Sequence, residues 1–250
     1  MKKIILAFAV LTAIVSCKKE ATTPTNNTTN TKSDTTTNSN TASDGKLGAP
    51  ITDIDGNSYK TVIIGSQQWM AENLKVTKYN DGTGIKHLEL KEDWSYSDSA
   101  GWCYYDNIAF NNTKHGKLYN WNVIDKAKNG DRNVCPVGWH VPTNNDWKIL
   151  GQKLGGVFAA GGKLKVKDTT DWNSPSNGSN SSLFTAYPSG LREVSGPFEG
   201  MGNVAQWWSS DEDIYNNTYA GTLIIYYINN QFSLYNSFKF TGSSIRCIKN

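Results

Sequence analysis

Cys135-Pro136-Val137-Gly138-Trp139-His140-Val141-Pro142-Thr143-Asn144-Asn145-Asp146-Trp147 reads as a rigid lead into a helix. Pro142 fixes its own φ, donates no backbone hydrogen bond and biases Val141 toward extended backbone. Thr143 is a good N-cap. Asp146, three residues later, gives an approximate capping box and a negative charge on the first turn. Trp147, Leu150 and Leu154 follow at helical spacing, so one face is directed to a core. Gly155-Gly156 supplies the stop, because glycine enters the left-handed region at little cost. Trp139 and Trp147 bracket the entry with two large apolar surfaces. Cys135 heads the segment and is placed to tie it to something distant. Cys247, near the C-terminus, is the obvious candidate.

Outward from this helix the pattern is mainly strand. After the turn Asp53-Ile54-Asp55-Gly56-Asn57, residues 59–64 are β-branched and half-alternating, and Gly65-Ser66 turns them toward 67–70. Residues 70–74 are expected to begin a short helix. Residues 77–115 are irregular, and 117–123 fits a short helix or a strand. Beyond the helix, residues 161–166 lead into a polar loop, 168–182. Residues 183–186, 205–209 and 219–228 read as strands. Asn229-Asn230 reads as a tight hairpin turn, 231–235 as the returning strand and 243–248 as the closing one. The expected fold class is α+β, loop-rich, with one main helix packed on a curved antiparallel sheet.

The N-terminal part has a different character. Residues 1–16 read as a lipoprotein signal peptide, with a basic Met1-Lys2-Lys3 start and an apolar run too short to span a bilayer comfortably. The run ends in Ile14-Val15-Ser16-Cys17, which resembles a bacterial lipobox. Cleavage before Cys17 would leave it as the acylated residue, so a membrane is an expected partner, reached through an N-terminal lipid anchor. Residues 17–45, rich in Thr, Asn and Ser, cannot bury enough apolar surface to fold and form a disordered tether. Residues 46–250 suit one domain. The whole chain has a formal net charge of +3. Without Lys2 and Lys3 the balance is about +1. No run of Lys and Arg makes a basic stripe, which sets nucleic acid aside as a partner.

Gly138-Trp139-His140-Val141-Pro142-Thr143 with Asp146-Trp147 resembles the signature of the Fibrobacter succinogenes major paralogous domain. Further matches follow the same order, among them Gln68-Trp69-Met70-Ala71-Glu72-Asn73-Leu74, Gly116-Lys117-Leu118-Tyr119-Asn120-Trp121, Trp207-Trp208-Ser209-Ser210 and Ile245-Arg246-Cys247-Ile248. Domains of this kind are widespread in lipoproteins of the Bacteroidetes and Fibrobacteres. The resemblance implies an outer-membrane lipoprotein displayed at the cell surface, with a periplasm-facing orientation as the alternative. The helix start and the closing Arg-Cys strand are also similar, more distantly, to sulfatase-modifying-factor and C-type-lectin-like domains, which implies a fold of that type.

Four side-chain sets bear on function. Once Cys17 is acylated, Cys103, Cys135 and Cys247 can pair in three ways with one thiol left over; Cys135 with Cys247 is favoured, in an oxidising envelope, because it joins the helix module to the last strand. A sulfatase-modifying-factor oxidase needs a second cysteine beside Cys247, and this chain has none there. His87, His115 and His140 are widely spaced, and His140 is expected to hydrogen-bond backbone rather than a metal. Asp211-Glu212-Asp213 is read as a solvated acidic turn rather than a calcium site. No metal, cofactor or catalytic residue is therefore assigned. Nine tryptophans exceed the needs of a small core. Trp69, Trp121, Trp139, Trp147 and Trp207 are assigned to it, whereas Trp172, Trp94, Trp102 and Trp208 are candidate surface platforms for a ligand. The expected function is a non-catalytic module that binds glycan or protein through loops within residues 77–115 and 168–215. The alternatives are an enzyme of sulfatase-modifying-factor type and a structural envelope lipoprotein with no dedicated ligand.

Overall fold

A computed structural model describes residues 43–167 and 170–250. The signal peptide, Cys17 and the tether as far as residue 42 lie outside the described residues. Ser43 and Asp44, which composition assigns to the tether, are already fastened to the domain: Ser43 Oγ and Asp44 N both donate to Ser181 O, at 2.7 and 2.8 Å, and Asp44 pairs with Lys163 at 2.9 Å.

The described residues form a mixed α+β arrangement of three sheets and short helices. In the first sheet β1 (Lys46–Thr52), β2 (Ser58–Ile64) and β3 (Gln67–Met70) make an antiparallel meander. The third sheet joins β4 (Lys86–His87), β5 (Gly101–Cys103) and β6 (Leu118–Tyr119). β7 (Trp139–His140) returns to the first sheet. The second sheet contains β8 (Ser189–Arg192), β9 (Phe198–Met201), β10 (Val204–Glu212), β11 (Tyr219–Tyr226) and β12 (Ser233–Phe238), in the order β12-β11-β10-β8-β9. The C-terminal β13 (Ile248–Lys249) lies between β3 and β7 in the first sheet. The helices are α1 (Lys91–Trp94), α2 (Asn112–His115), α3 (Lys126–Asn129), α4 (Asn144–Lys153) and α5 (Ala160–Leu164).

The organising stretch folds as its residues dictate. Thr143 Oγ1 accepts from Asp146 N at 3.1 Å, and Asp146 Oδ2 accepts from Thr143 N at 2.9 Å, so the capping box is complete. Trp147, Leu150 and Leu154 are fully buried. Trp147 stacks on Trp69 at 4.6 Å, and Phe184 and Trp207 close the same aromatic cluster. Cys135 and Cys247 form a disulfide across 112 residues. Closing a loop of that length contributes on the order of 5 kcal/mol in the chain-entropy model. Cys103 is a free, buried thiol.

Elsewhere long-range bonds override local pattern. No helix begins at 70–74, because Met70 N, Ala71 N and Leu74 N donate instead to Cys247 O, Lys60 O and Ile245 O. Residues 183–186 are not a strand; only Ala186 makes a bridge, to Lys165. Residues 160–164 are helical rather than a simple lead into the loop. The β11–β12 connection runs from 227 to 232 instead of turning on two asparagines. Among the described residues the sheets number three rather than one, and β8 pairs with β10 in parallel.

The four platform assignments are corrected, since all nine tryptophans are buried. Trp172 is 1% exposed, donates Nε1 to Ala186 O at 3.0 Å and lies 5.1 Å beneath Lys165 Nζ. Trp94 underlies the Arg192 guanidinium at 4.7 Å, and Trp102 the Lys117 ammonium at 4.8 Å. Trp208 donates Nε1 to Tyr119 O at 2.7 Å. The physical reason is shared by three of them. Lys117, Lys165 and Arg192 are buried cations that donate to loop carbonyls, and each rests on an aromatic face that offsets part of its lost hydration.

Candidate functional site

A cleft of about 730 Å³ opens where separate segments meet: β1 and β2 with the residues after β3, the α2 segment, and the loop 183–187. Each segment is positioned by a specific interaction. The α2 segment ends at Gly116, whose φ of +70° belongs to glycine; a Cβ there would stand 2.8 Å from Asn73 Cβ and 2.9 Å from Leu74 O. This close approach lets Asn73 Nδ2 donate to His115 O at 2.9 Å.

Asn73 is the hub behind the cleft. Its Oδ1 accepts from Trp207 Nε1 at 2.8 Å and from Arg246 Nη2 and Nε at 2.8 and 3.1 Å, and its Nδ2 also reaches Ser189 Oγ and Ser244 Oγ. Arg246 is fully buried, and among the described residues no carboxylate bonds to it. It donates instead to Phe184 O and Thr185 O, and its guanidinium stacks 4.1 Å from the Phe184 ring. Those two carbonyls belong to the cleft loop. Leu183 and Thr185 there have φ of +60° and +58°, a region costly for residues with a Cβ. The strain is held by Arg246 on the carbonyls and by Asn180 Oδ1 and Ser182 Oγ, which accept from Thr185 N and Phe184 N.

The walls combine ring faces with polar groups. Tyr187 is half-buried, meets the His115 ring edge-on at 6.0 Å and carries Lys114 Nζ 5.2 Å above its face. Phe110, 82% exposed, and Leu47 form the apolar rim, while Thr113 and Thr185 add hydroxyls. His115 Nδ1 is buried without a hydrogen-bond partner, and desolvation holds the imidazole below its ordinary range against the pull of Asp171. It is therefore a neutral wall residue near pH 7. Lys114 pairs with Asp171, and Glu72 accepts from Lys60 N and Lys75 Nζ. Such a surface can stack on a ring and hydrogen-bond around it.

The two loop stretches singled out in the sequence converge here, through 110–115 and 183–187. None of the candidate tryptophans lines the cleft. Lys60, Glu72 and Leu47 were missed because they sit in or beside strands and carry no loop signal. Asn73 and Arg246 were legible only as members of longer signature stretches.

Other candidates are occupied by the fold itself. His140 bonds side chains rather than backbone, Nδ1 to Asn250 Oδ1 at 2.7 Å and Nε2 to Asp146 Oδ2 at 3.4 Å. Asp211 caps α4 by accepting from Asn144 N, Glu212 pairs with Lys239, and Asp213 accepts from Tyr215 N and Asn216 N. Burial pushes the Cys103 thiol up to about 12, which leaves it unreactive as a nucleophile. Among the described residues no three His, Cys, Asp or Glu side chains are grouped to hold a metal ion.

Residues 62–249 match the model of a protein family described as the Fibrobacter succinogenes major domain. No curated protein and no solved structure matches the chain.

Proposed function

The chain belongs to the Fibrobacter succinogenes major domain family, and from that premise we propose that it is a cell-envelope lipoprotein carrying a non-catalytic binding module. The module recognises glycan or protein at the cleft bounded by Lys60, His115, Thr185 and Tyr187. It sits on a scaffold of C-type-lectin-like or sulfatase-modifying-factor-like type, a reading supported by the capped α4 entry tied through Cys135–Cys247 to the closing strand. Cys17 is the acylated residue, and the tether holds the module at the outer membrane, toward the cell surface. The support for this anchor is the Ile14-Val15-Ser16-Cys17 stretch.

The observation that carries the binding reading is the cleft loop. Two non-glycine residues, Leu183 and Thr185, stand in left-handed backbone in a loop whose Phe184 and Thr185 carbonyls a buried arginine holds, at a concave surface with an exposed aromatic rim. Strain of about 1–3 kcal/mol per residue persists where the surroundings over-determine it, and such sites cluster at ligand clamps. A glycan and peptide array probed with the full chain in detergent tests the reading. Binding that Tyr187→Ala removes supports it. Binding unaffected by Tyr187→Ala contradicts it, as does turnover of a thiol peptide in the presence of copper or iron.

A further inference from the structure

The charges and edges around the cleft narrow its ligand, on the premise that the cleft is the binding site. Three charged side chains line it, and two are already engaged: Lys114 by Asp171, and Glu72 by Lys75 and the Lys60 backbone. Lys60 is exposed, and among the described residues its ammonium makes no ion pair or hydrogen bond. The cleft thus offers one uncompensated positive charge beside ring faces and hydroxyls. A group of opposite charge on the ligand would complement it.

Peptide ligands fit the same charge but not the same edges. An extended peptide binds by adding to an open strand edge. The edge strand beside the cleft is β1, which contributes Leu47 to the wall. It is broken by a register shift between Gly48 and Ile51 and carries Pro50, two features that block strand addition. A helical peptide needs a continuous apolar groove, whereas Lys60, Glu72, Thr113 and Thr185 interrupt this one. A sugar ring needs neither. Its C–H face rests on an aromatic ring while its hydroxyls meet polar neighbours, which is the alternation that Tyr187, Phe110, Thr113 and Thr185 present.

We propose that the cleft binds an acidic saccharide, with a uronate-type ring stacked on the Tyr187 and Phe110 walls and its carboxylate paired with Lys60. Calorimetry on the full chain in detergent, with oligogalacturonate, alginate and hyaluronan fragments as probes, tests this. Methyl-esterified oligogalacturonate serves as the uncharged form of the same rings, and an aspartate-rich peptide as the non-sugar anion. At least one uronate should bind, and its methyl ester or the Lys60→Gln variant should bind about tenfold more weakly, with an unchanged melting temperature. Lys60→Glu should abolish binding. Equal affinity for ester and acid, or for Lys60→Gln and wild type, overturns the acidic-sugar assignment but leaves the cleft as a site if Tyr187→Ala still removes binding. Uronate binding that survives Tyr187→Ala overturns the cleft itself. Binding of the peptide with none of the three uronates also overturns the assignment.

Discussion

Trp172 stands alone in a polar loop, which makes it resemble a platform, yet its ring is walled in and its Nε1 donates to Ala186 O. What was not legible was Lys165, a residue of ordinary surface type that is buried over the ring and bonded to Tyr227 O and Asn229 O. Trp172→Ala should therefore cost about 3–5 kcal/mol, read as a lowered urea midpoint, as large core truncations do. An unchanged midpoint would restore the platform reading. The buried lysines also set a pH dependence. Burial pushes Lys117 and Lys165 down to about 8, against 10.5 for the ordinary group. Above pH 8 the unfolded chain keeps those protons while the folded chain releases them, so stability rises with pH; below pH 8 both states are charged and the burial cost is fully present. Cys103, raised from 9.0 to about 12, acts in the opposite sense once the unfolded thiol ionises. The clean window is thus between about pH 8 and 9. Urea midpoints should be higher near pH 9 than near pH 7.5, and a fall across that interval would contradict the account.

Among the elements, α4 was legible to its first residue because a cap is local: Thr143, Asp146 and the apolar spacing carry the information within one turn and a half. Strands β2, β10 and β11 were legible for a similar reason, since each is rich in β-branched or aromatic residues. Residues 70–74 were not, because their backbone bonds reach Ile245 and Cys247, far along the chain, and 183–186 were not, because the Asn180 and Ser182 side chains turn that loop while Arg246 holds its carbonyls. Arg246 bends the second of these from more than sixty residues away. The pairing of Cys135 with Cys247 was an expectation that the structure contains. Replacing both by serine should lower stability by about 3–5 kcal/mol, since the loop they close is long. Because β13 lies between β3 and β7, hydrogen exchange in the double variant should rise first at Trp139–His140 and Ile248–Lys249. Uniform exchange across both sheets would show that the staple does not act on this junction.

At the scale of the whole molecule, the two loop-rich stretches meet at the candidate cleft, but only a few residues of each reach it. The surplus of tryptophan was not a sign of ligand platforms. It supplies ring faces for buried cations, Arg246 over Trp207 and Lys239 over Trp121 among them, in a chain whose helices are short and whose loops must be tied down. The rings at the cleft are Phe110, exposed, and Tyr187, half-buried, and no sequence pattern set either apart from the other phenylalanines and tyrosines. A second, more apolar groove lies between α4 and β12, lined by Gly151, Val157, Phe232 and Leu234, and gives the natural contrast. The most direct measurement is hydrogen–deuterium exchange on the full chain with and without a bound acidic glycan. The account predicts slowed exchange at residues 110–115 and 183–187, with no change at 148–158 and 232–236. Protection confined to the α4–β12 groove, or absent from both cleft segments while ligand is bound, would contradict it.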